Sequence, residues 1–284
     1  MSLTSPRFTS SDTLKSVELG QTVLQMGSTG RAVHLVQMAL LDLGFAMPRS
    51  TSHANNSPDG DFGQETKSIV QTFQRTASIA AGGTTLKDDG IIGQKTMREL
   101  DRQSGGFKHR VKLHFRSIAL TSVPFERSLR NAEIVYGQYA IKAEFASGES
   151  VGLSEADRQK FNQIDQECNW DLTSGEFVEL QRIGSPSPDT DVRVFHVNSF
   201  ADKNVLGCGG HDKVRPTCTV TANALAWDTA HEIGHVLLGS KFSPVHIEDR
   251  RNLMHPISRS LASVPILTVA QVIQMRKNKC CRAI

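Results

Sequence analysis

The chain has 284 residues, 38% of them hydrophobic and 21% charged, enough for about two domains and for cores that need no disulfide framework. Lys plus Arg number 32 against 29 Asp plus Glu, and no basic stripe accompanies that small excess, so nucleic acid is not an expected partner. No apolar run reaches the roughly 18 residues of a transmembrane segment. The N-terminal stretch has no basic region followed by an apolar one, so an ordinary secretory signal is not expected.

Residues 1–18 are polar and rich in Ser and Thr, and read as an N-terminal arm or a short helix packed on the body. A first compact unit is expected at 19–102. It contains an internal repeat: Asp59-Gly60-Asp61-Phe62-Gly63-Gln64-Glu65-Thr66 matches Asp89-Gly90-Ile91-Ile92-Gly93-Gln94-Lys95-Thr96 at an offset of 30 residues. Each copy is a Gly-punctuated turn leading into a helix. Apolar spacing predicts three helices. The first, at 30–44, aligns Val33, Val36, Leu40 and Leu43. The second, at 64–78, turns Ile69, Val70 and Phe73 inward. The third, at 94–101, does so with Met97 and Leu100. Loops at 46–60 and 79–88 join them.

A Gly- and Ser-containing linker is expected at 103–110, and a second unit at 111–284. There the pattern predicts a helix at 126–140, a strand at 141–146 and a helix at 155–166 opened by Ser154. Strands follow at 177–180 and 192–197, with a short edge strand at 218–222. A helix is expected at 223–239. Thr268 and Gln271 have the spacing of a capping box, so a last helix is placed at 269–277. The second unit therefore reads as α+β. The five cysteines are Cys168, Cys208, Cys218, Cys280 and Cys281, without the spacing of a Cys-rich zinc site. Cys208 and Cys218 bracket a Gly-rich loop and either close it as a disulfide or remain reduced thiols.

The chemistry is concentrated in His231-Glu232-Ile233-Gly234-His235, an H-E-x-x-H motif on a helical segment. Four residues of helix place His231 and His235 on one face, one turn apart, where both imidazoles can grip a tetrahedral zinc ion, Zn2+. Glu232 is the candidate general base, positioned to take a proton from water and pass it to a leaving amine. A catalytic zinc usually takes three protein ligands. His246, beyond the helix-ending Gly239, is the first choice, with Asp249, His255 and His211 as rivals. The competing interpretation of these residues is a solvated helix face.

The region 219–256 resembles the catalytic core of metzincin-like zinc peptidases. In that family an H-E-x-x-H helix ends in a Gly turn, a third His or Asp follows, and a Met-turn lies under the zinc. The resemblance implies His231 and His235 as ligands, Glu232 as general base and Met254 as the Met-turn residue. The spacing departs from the family pattern: Gly239 falls one position late, and Lys241 stands where the third ligand is expected. An insertion before His246 would restore the alignment. No Tyr follows Met254 closely, so the tyrosine that stabilises the intermediate in such enzymes has no counterpart there.

Residues 25–102 resemble the peptidoglycan-binding-like domains of cell-wall hydrolases. The likeness is carried by Gly27-Ser28-Thr29-Gly30, Val33, Val36-Gln37, Leu40 to Gly44, Asp59-Gly60 with Gly63, Thr66, Phe73-Gln74, and Asp89-Gly90 with Gly93, Thr96 and Leu100. It implies an all-α three-helix module followed by an α+β zincin domain, and peptidoglycan as a partner. Most of the Asp-Gly pairs read as turn chemistry that builds the fold. The expected function is a zinc metalloendopeptidase acting on a peptide or protein substrate, directed to a bacterial cell wall or exported as an effector without a classical signal peptide. A cytoplasmic protein, and a non-catalytic wall-binding protein with a structural or vestigial metal, are the alternatives.

Overall fold

The computed structural model describes residues 2–52, 57–80, 86–118, 125–165, 175–210, 215–257, 261 and 263–284. The chain divides into two compact units. The first holds residues 1–107 with 137–140 and 268–272, and the second holds 108–136, 141–267 and 273–284.

The first unit contains α1 (Asp12–Glu18), α2 (Arg31–Asp42), α3 (Gln64–Ala80) and α4 (Gln94–Ser104). Of these, α2, α3 and α4 fall within 19–102, and α1 lies in the arm, read from sequence as an arm or a short helix. α1 forms from the polar arm because Ser11 caps it, accepting from Leu14 N, while Leu14 and Val17 are buried. Val33, Val36, Leu40, Val70, Phe73, Met97 and Leu100 share one core with Phe8 of the arm. Leu43 and Ile69 pack against it only partly buried.

The sequence repeat becomes a repeated hydrogen-bond network. Gln37 Nε2 donates to Asp59 Oδ1 (2.8 Å), to the Asp61 carbonyl and to Thr66 Oγ1, while Gly60 N–H donates back to Gln37 Oε1. Gln74 does the same with Asp89 (3.2 Å), Ile91, Thr96 and Gly90. Gly60 and Gly90 are left-handed, with φ of 76° and 71°, which favours glycine. At Gly90 a Cβ would also stand 2.6 Å from Lys67 Cγ. Gly63 and Gly93 open α3 and α4, their carbonyls accepting from Lys67 N–H and Met97 N–H.

The second unit is built on a mixed sheet of order β2-β1-β4-β7-β6, with β8 (Arg282–Ala283) paired to β1. Its strands are β1 (His109–Ser117), β2 (Ile141–Ser150), β4 (Val192–Val197), β6 (Gly207–Gly210) and β7 (Thr217–Thr221). β2, β1, β4 and β7 run parallel, and β6 is antiparallel to β7. A two-stranded sheet pairs β3 (Gln163–Ile164) with β5 (Ser199–Phe200). β1 was hidden from sequence reading by the expected linker, and β6 by its glycines. α4 runs through Ser104 and β1 starts at His109, so the stretch between them is shorter than the linker expected at 103–110.

Several expectations are corrected here. Residues 177–180 are not a strand but lie in the helix α7 (Glu176–Leu180). Phe177 and Leu180, three residues apart, are buried together, which is helical rather than alternating spacing. The helix expected at 155–166 is only α6 (Glu155–Lys160), after which the chain pairs as β3. The helix expected at 126–140 is α5 (Phe125–Gly137). The strand at 218–222 is not an edge: β7 lies between β4 and β6.

The Cys208–Cys218 disulfide does not form. Cys208 is disulfide-bonded, whereas Cys218 is a buried free thiol. In the β6–β7 ladder Cys208 pairs with Thr219, and Cys218 with Gly209, so the two cysteines point to opposite faces of the sheet. Cys208 packs with Phe161, Phe177, Phe195 and Phe200 in a small second core. Cys168 and His211 lie outside the described residues.

Candidate metal centre

The site is carried by α8 (Asp228–Leu238). The expected start at 223 is too early, because Asp228 Oδ2 accepts from Leu225 N–H at 2.6 Å and residues 222–227 turn off the end of β7. Gly239, with φ 75°, ends the helix, its N–H donating to the His235 carbonyl. Every residue of α8 is buried, as befits a helix that is apolar over most of its surface and packed in a core. Its polar residues are therefore held in a dry setting.

The helix lies close against β6 and β7. A Cβ on Gly207 would stand 2.5 Å from Glu232 Oε1, and one on Gly209 would stand 2.4 Å from His235 Cβ and 2.5 Å from the Glu232 carbonyl. Glycine at both positions is what lets the strand approach the helix backbone. These two residues were missed in the sequence reading. The signal was the run Gly207-Cys208-Gly209-Gly210, which reads as a loop until a helix is known to cover it.

His231, His235 and His246 come together. His235 Nε2 is 3.1 Å from His231 Nε2 and 3.2 Å from His246 Nε2, and the three ring centroids are 4.8, 4.9 and 5.5 Å apart. A tetrahedral zinc with bonds of about 2.0–2.1 Å would hold its nitrogen ligands about 3.3 Å apart, so the three imidazoles fit one ion and form a cluster that could hold a metal. His231 Nδ1 lies 2.7 Å from the Leu253 carbonyl. Donating there leaves Nε2 with its lone pair toward the cluster. Burial pushes the His231 imidazole down to about 4 against the opposing pull of that carbonyl, and burial also lowers His246. Both are held in the neutral form that ligates metals.

The segment 245–255 supplies the third imidazole. Val245 and Ile247 are buried and His246 between them is exposed, so alternation turns the imidazole away from the core. Ile247 N–H donates to the Met254 carbonyl at 3.0 Å, tying this segment to the turn that carries Leu253. Asn252 Oδ1 accepts from Met254 N–H, and the Met254 sulfur lies where a Cβ on Gly234 would be 2.6 Å away. Met254 thus packs directly under the helix between the two histidines.

Asp249 and His255 stand outside the cluster. Asp249 accepts from Arg251 N–H and from its guanidinium. His255 Nδ1 is 3.1 Å from Ile257 N. Glu232 is 7% exposed. Burial first, then Asp228, pushes its carboxyl well above the usual carboxylate range, and the Gly209 N–H opposes by donating to it. The expected turn residues Asp59, Gly60, Gly63, Asp89, Gly90 and Gly93 all belong to the first unit and are engaged in its own turns, as described above.

Comparison with known proteins identifies residues 29–100 as matching the family described as putative peptidoglycan binding domain. No curated protein matches the chain. Among solved structures the chain is similar to metalloproteinase-II from Bacteroides fragilis, at 14% identity and a TM-score of 0.38, over 62% of this chain and 54% of that one. The chain therefore spans about half the length of that protein. It is also similar to archaemetzincin from Methanopyrus kandleri, at 15% identity and a TM-score of 0.38, over 60% of this chain and 95% of that one. Archaemetzincin from Archaeoglobus fulgidus matches at 16% identity and a TM-score of 0.35, over 58% and 99%.

Proposed function

We propose that the chain is a zinc-dependent peptidase joined to a peptidoglycan-binding module. The observation that carries this reading is the convergence of three imidazole nitrogens, two of them from the helix that also carries Glu232. His231, His235 and His246 would hold the zinc, and bound there it would polarise the scissile carbonyl and acidify the attacking water. Glu232 takes the water's proton and returns it to the departing amine nitrogen. Its carboxyl is oriented by Gly209 N–H and kept dry by the α8 packing. His231 is held in its ligating tautomer by Leu253, and Met254 supports the helix beneath it.

An extended peptide would bind by pairing along β6, the last strand of the sheet next to α8 among the described residues. β4 and β7 are interior strands and offer no free edge. The first unit would raise the local concentration of the second at a bacterial wall. Endopeptidase action on wall peptides or on proteins, and work outside the cytoplasm, belong to the same proposal.

The test is elemental analysis of the purified chain and of His246→Ala, followed by assays on wall peptides and unfolded proteins. About one zinc per chain, a marked loss in His246→Ala, and hydrolysis reduced about 100-fold or more in Glu232→Gln are expected. A Glu232→Gln variant that keeps zinc and full activity would remove the mechanism. Absence of zinc after reconstitution would leave a wall-binding protein.

A further inference from the structure

On the sheet face turned away from α8, one buried and one half-buried arginine stand together with no acidic partner among the described residues. Arg193 in β4 is 1% exposed, and a cation so far from water needs compensation. Its Nε donates to Ser187 Oγ at 2.6 Å and its Nη1 to the Gln181 carbonyl. Its Nη2 is sealed from solvent and has no partner among the described residues. Arg215 donates to the same Gln181 carbonyl at 3.3 Å. Neither arginine makes an ion pair among the described residues. Arg116, on the same face of β1, does have one, with Glu149 at 3.1 Å.

Further unused groups lie beside them. Thr217 is the register partner of Arg193 across the β4–β7 ladder, so the two side chains share a face. Among the described residues its hydroxyl is buried without a partner, as is Nε2 of Gln181, the residue whose carbonyl both arginines share. Burial, then the charges of Arg215 and Arg116, lowers the Arg193 guanidinium from its usual range, with Asp189 opposing. A cluster of orphaned buried polar groups around a cation calls for an explanation, and a bound water or ion is one. Water would satisfy the hydrogen bonds and leave the charge uncompensated. An oxyanion does both, through charge-assisted bonds to planar guanidinium groups.

We propose that Arg193 and Arg215, with the side chains of Thr217 and Gln181, form a binding site for a small tetrahedral oxyanion, phosphate or sulfate. The burial of Arg193 restricts the occupant to a free ion, since a phosphate carried on a macromolecule would need an open surface. The side of the site that reaches solvent is formed by Arg215 and Ser187, both half-buried. The site is distinct from the histidine cluster, because Cys218 and Val220, which alternate with Thr217 along β7, face α8 instead. It stands whether or not the peptidase proposal does.

The experiment is calorimetric titration of the full chain with inorganic phosphate at constant ionic strength set by chloride. The wild type should show saturable binding of one ion per chain, displaced by sulfate. Arg215→Gln, a half-buried position that folding tolerates more readily than Arg193, should weaken the affinity about tenfold or more, the effect of losing one charge-assisted bond. Its zinc content should equal that of the wild type. Arg193→Gln should abolish binding, with circular dichroism used to confirm that it folds. No saturable phosphate binding in the wild type, or unchanged affinity in Arg215→Gln, would overturn the assignment.

Discussion

Gly209→Ala tests how closely β6 packs on α8. The added Cβ would stand 2.4 Å from His235 Cβ and 2.5 Å from the Glu232 carbonyl oxygen. Ordinary contacts between carbon atoms begin near 3.5 Å, so the strand and helix would have to separate by about 1 Å. The atoms in the way are the helix backbone and a Cβ, which cannot rotate aside. Overpacking of this kind costs about 1–3 kcal/mol. At about 2–4 °C per kcal/mol for a unit of this size, a central cost of about 2 kcal/mol lowers melting of the second unit by about 4–8 °C. Gly152→Ala is the control, because its Cβ would meet nothing within 4 Å and its φ is not in the left-handed region. Its effect should stay within about 0.5 kcal/mol. Differential scanning calorimetry of both variants decides the matter. If Gly209→Ala melted with Gly152→Ala, the close approach of β6 to the helix would be refuted.

Gln37→Ala and Gln74→Ala each remove the hub of a buried turn network, and each should destabilise the first unit by about 2–4 kcal/mol through orphaned donors and acceptors; denaturant unfolding showing less than about 1 kcal/mol would contradict the hub role. Burial holds the His196 imidazole down at about 4, so between there and its unfolded value near 6.5 the unfolded chain binds more protons. Stability should therefore fall by up to about 3 kcal/mol as pH drops through that window, and His196→Phe, which preserves stacking on Phe115, should remove that part of the slope in unfolding measured at pH 7 and pH 4. Peptide mapping without reduction should recover Cys218 as a free thiol and Cys208 in a disulfide, and Cys218→Ala should leave the disulfide count unchanged.

What could be read from sequence follows the range of the interactions involved. The H-E-x-x-H spacing needs only one helical turn to bring His231 and His235 together, so local pattern suffices. The first unit was likewise legible, because its turn chemistry repeats and its helices carry periodic apolar residues. Yet the hub glutamines of the two turns were not picked out as a pair. Gln37 and Gln74 sit 37 residues apart while the turns they serve are 30 apart, so no fixed offset links them. His246 was the first choice for third ligand but kept rivals, because its position depends on Ile247 bonding to Met254, a contact that no periodicity encodes. The strand β6 was unreadable for a related reason. Its glycines answer to a helix that begins 18 residues later, at Asp228, and a short glycine run in isolation signals a loop. At 177–180 the four residues Phe177-Val178-Glu179-Leu180 are too few for period two and period 3.6 to differ.

The placement of α8 has a thermodynamic consequence that can be measured. A helix with no exposed residue carries Asp228, His231, Glu232 and His235. Asp228 has the Leu225 N–H, His231 the Leu253 carbonyl and Glu232 the Gly209 N–H, while the three imidazole nitrogens crowd on one another. Three nitrogen lone pairs brought this close are better matched by a cation than by one another, so the folded second unit gains stability when its donor set is occupied. An ion that binds the three imidazoles only in the folded state adds stability by mass action, about 2.7 kcal/mol at 100 times its dissociation constant. At about 2–4 °C per kcal/mol, zinc should raise melting of the second unit by about 5–11 °C, and a chelator should reverse the gain. The first unit, whose Gln37 and Gln74 networks are complete without any ligand, should melt unchanged. His246→Ala should shrink the zinc-induced rise while leaving the metal-free melting temperature close to that of the wild type, because His246 is exposed. A zinc effect equal in both units, or equal in wild type and His246→Ala, would mean that the ion acts elsewhere and that the buried helix is stable on its own terms.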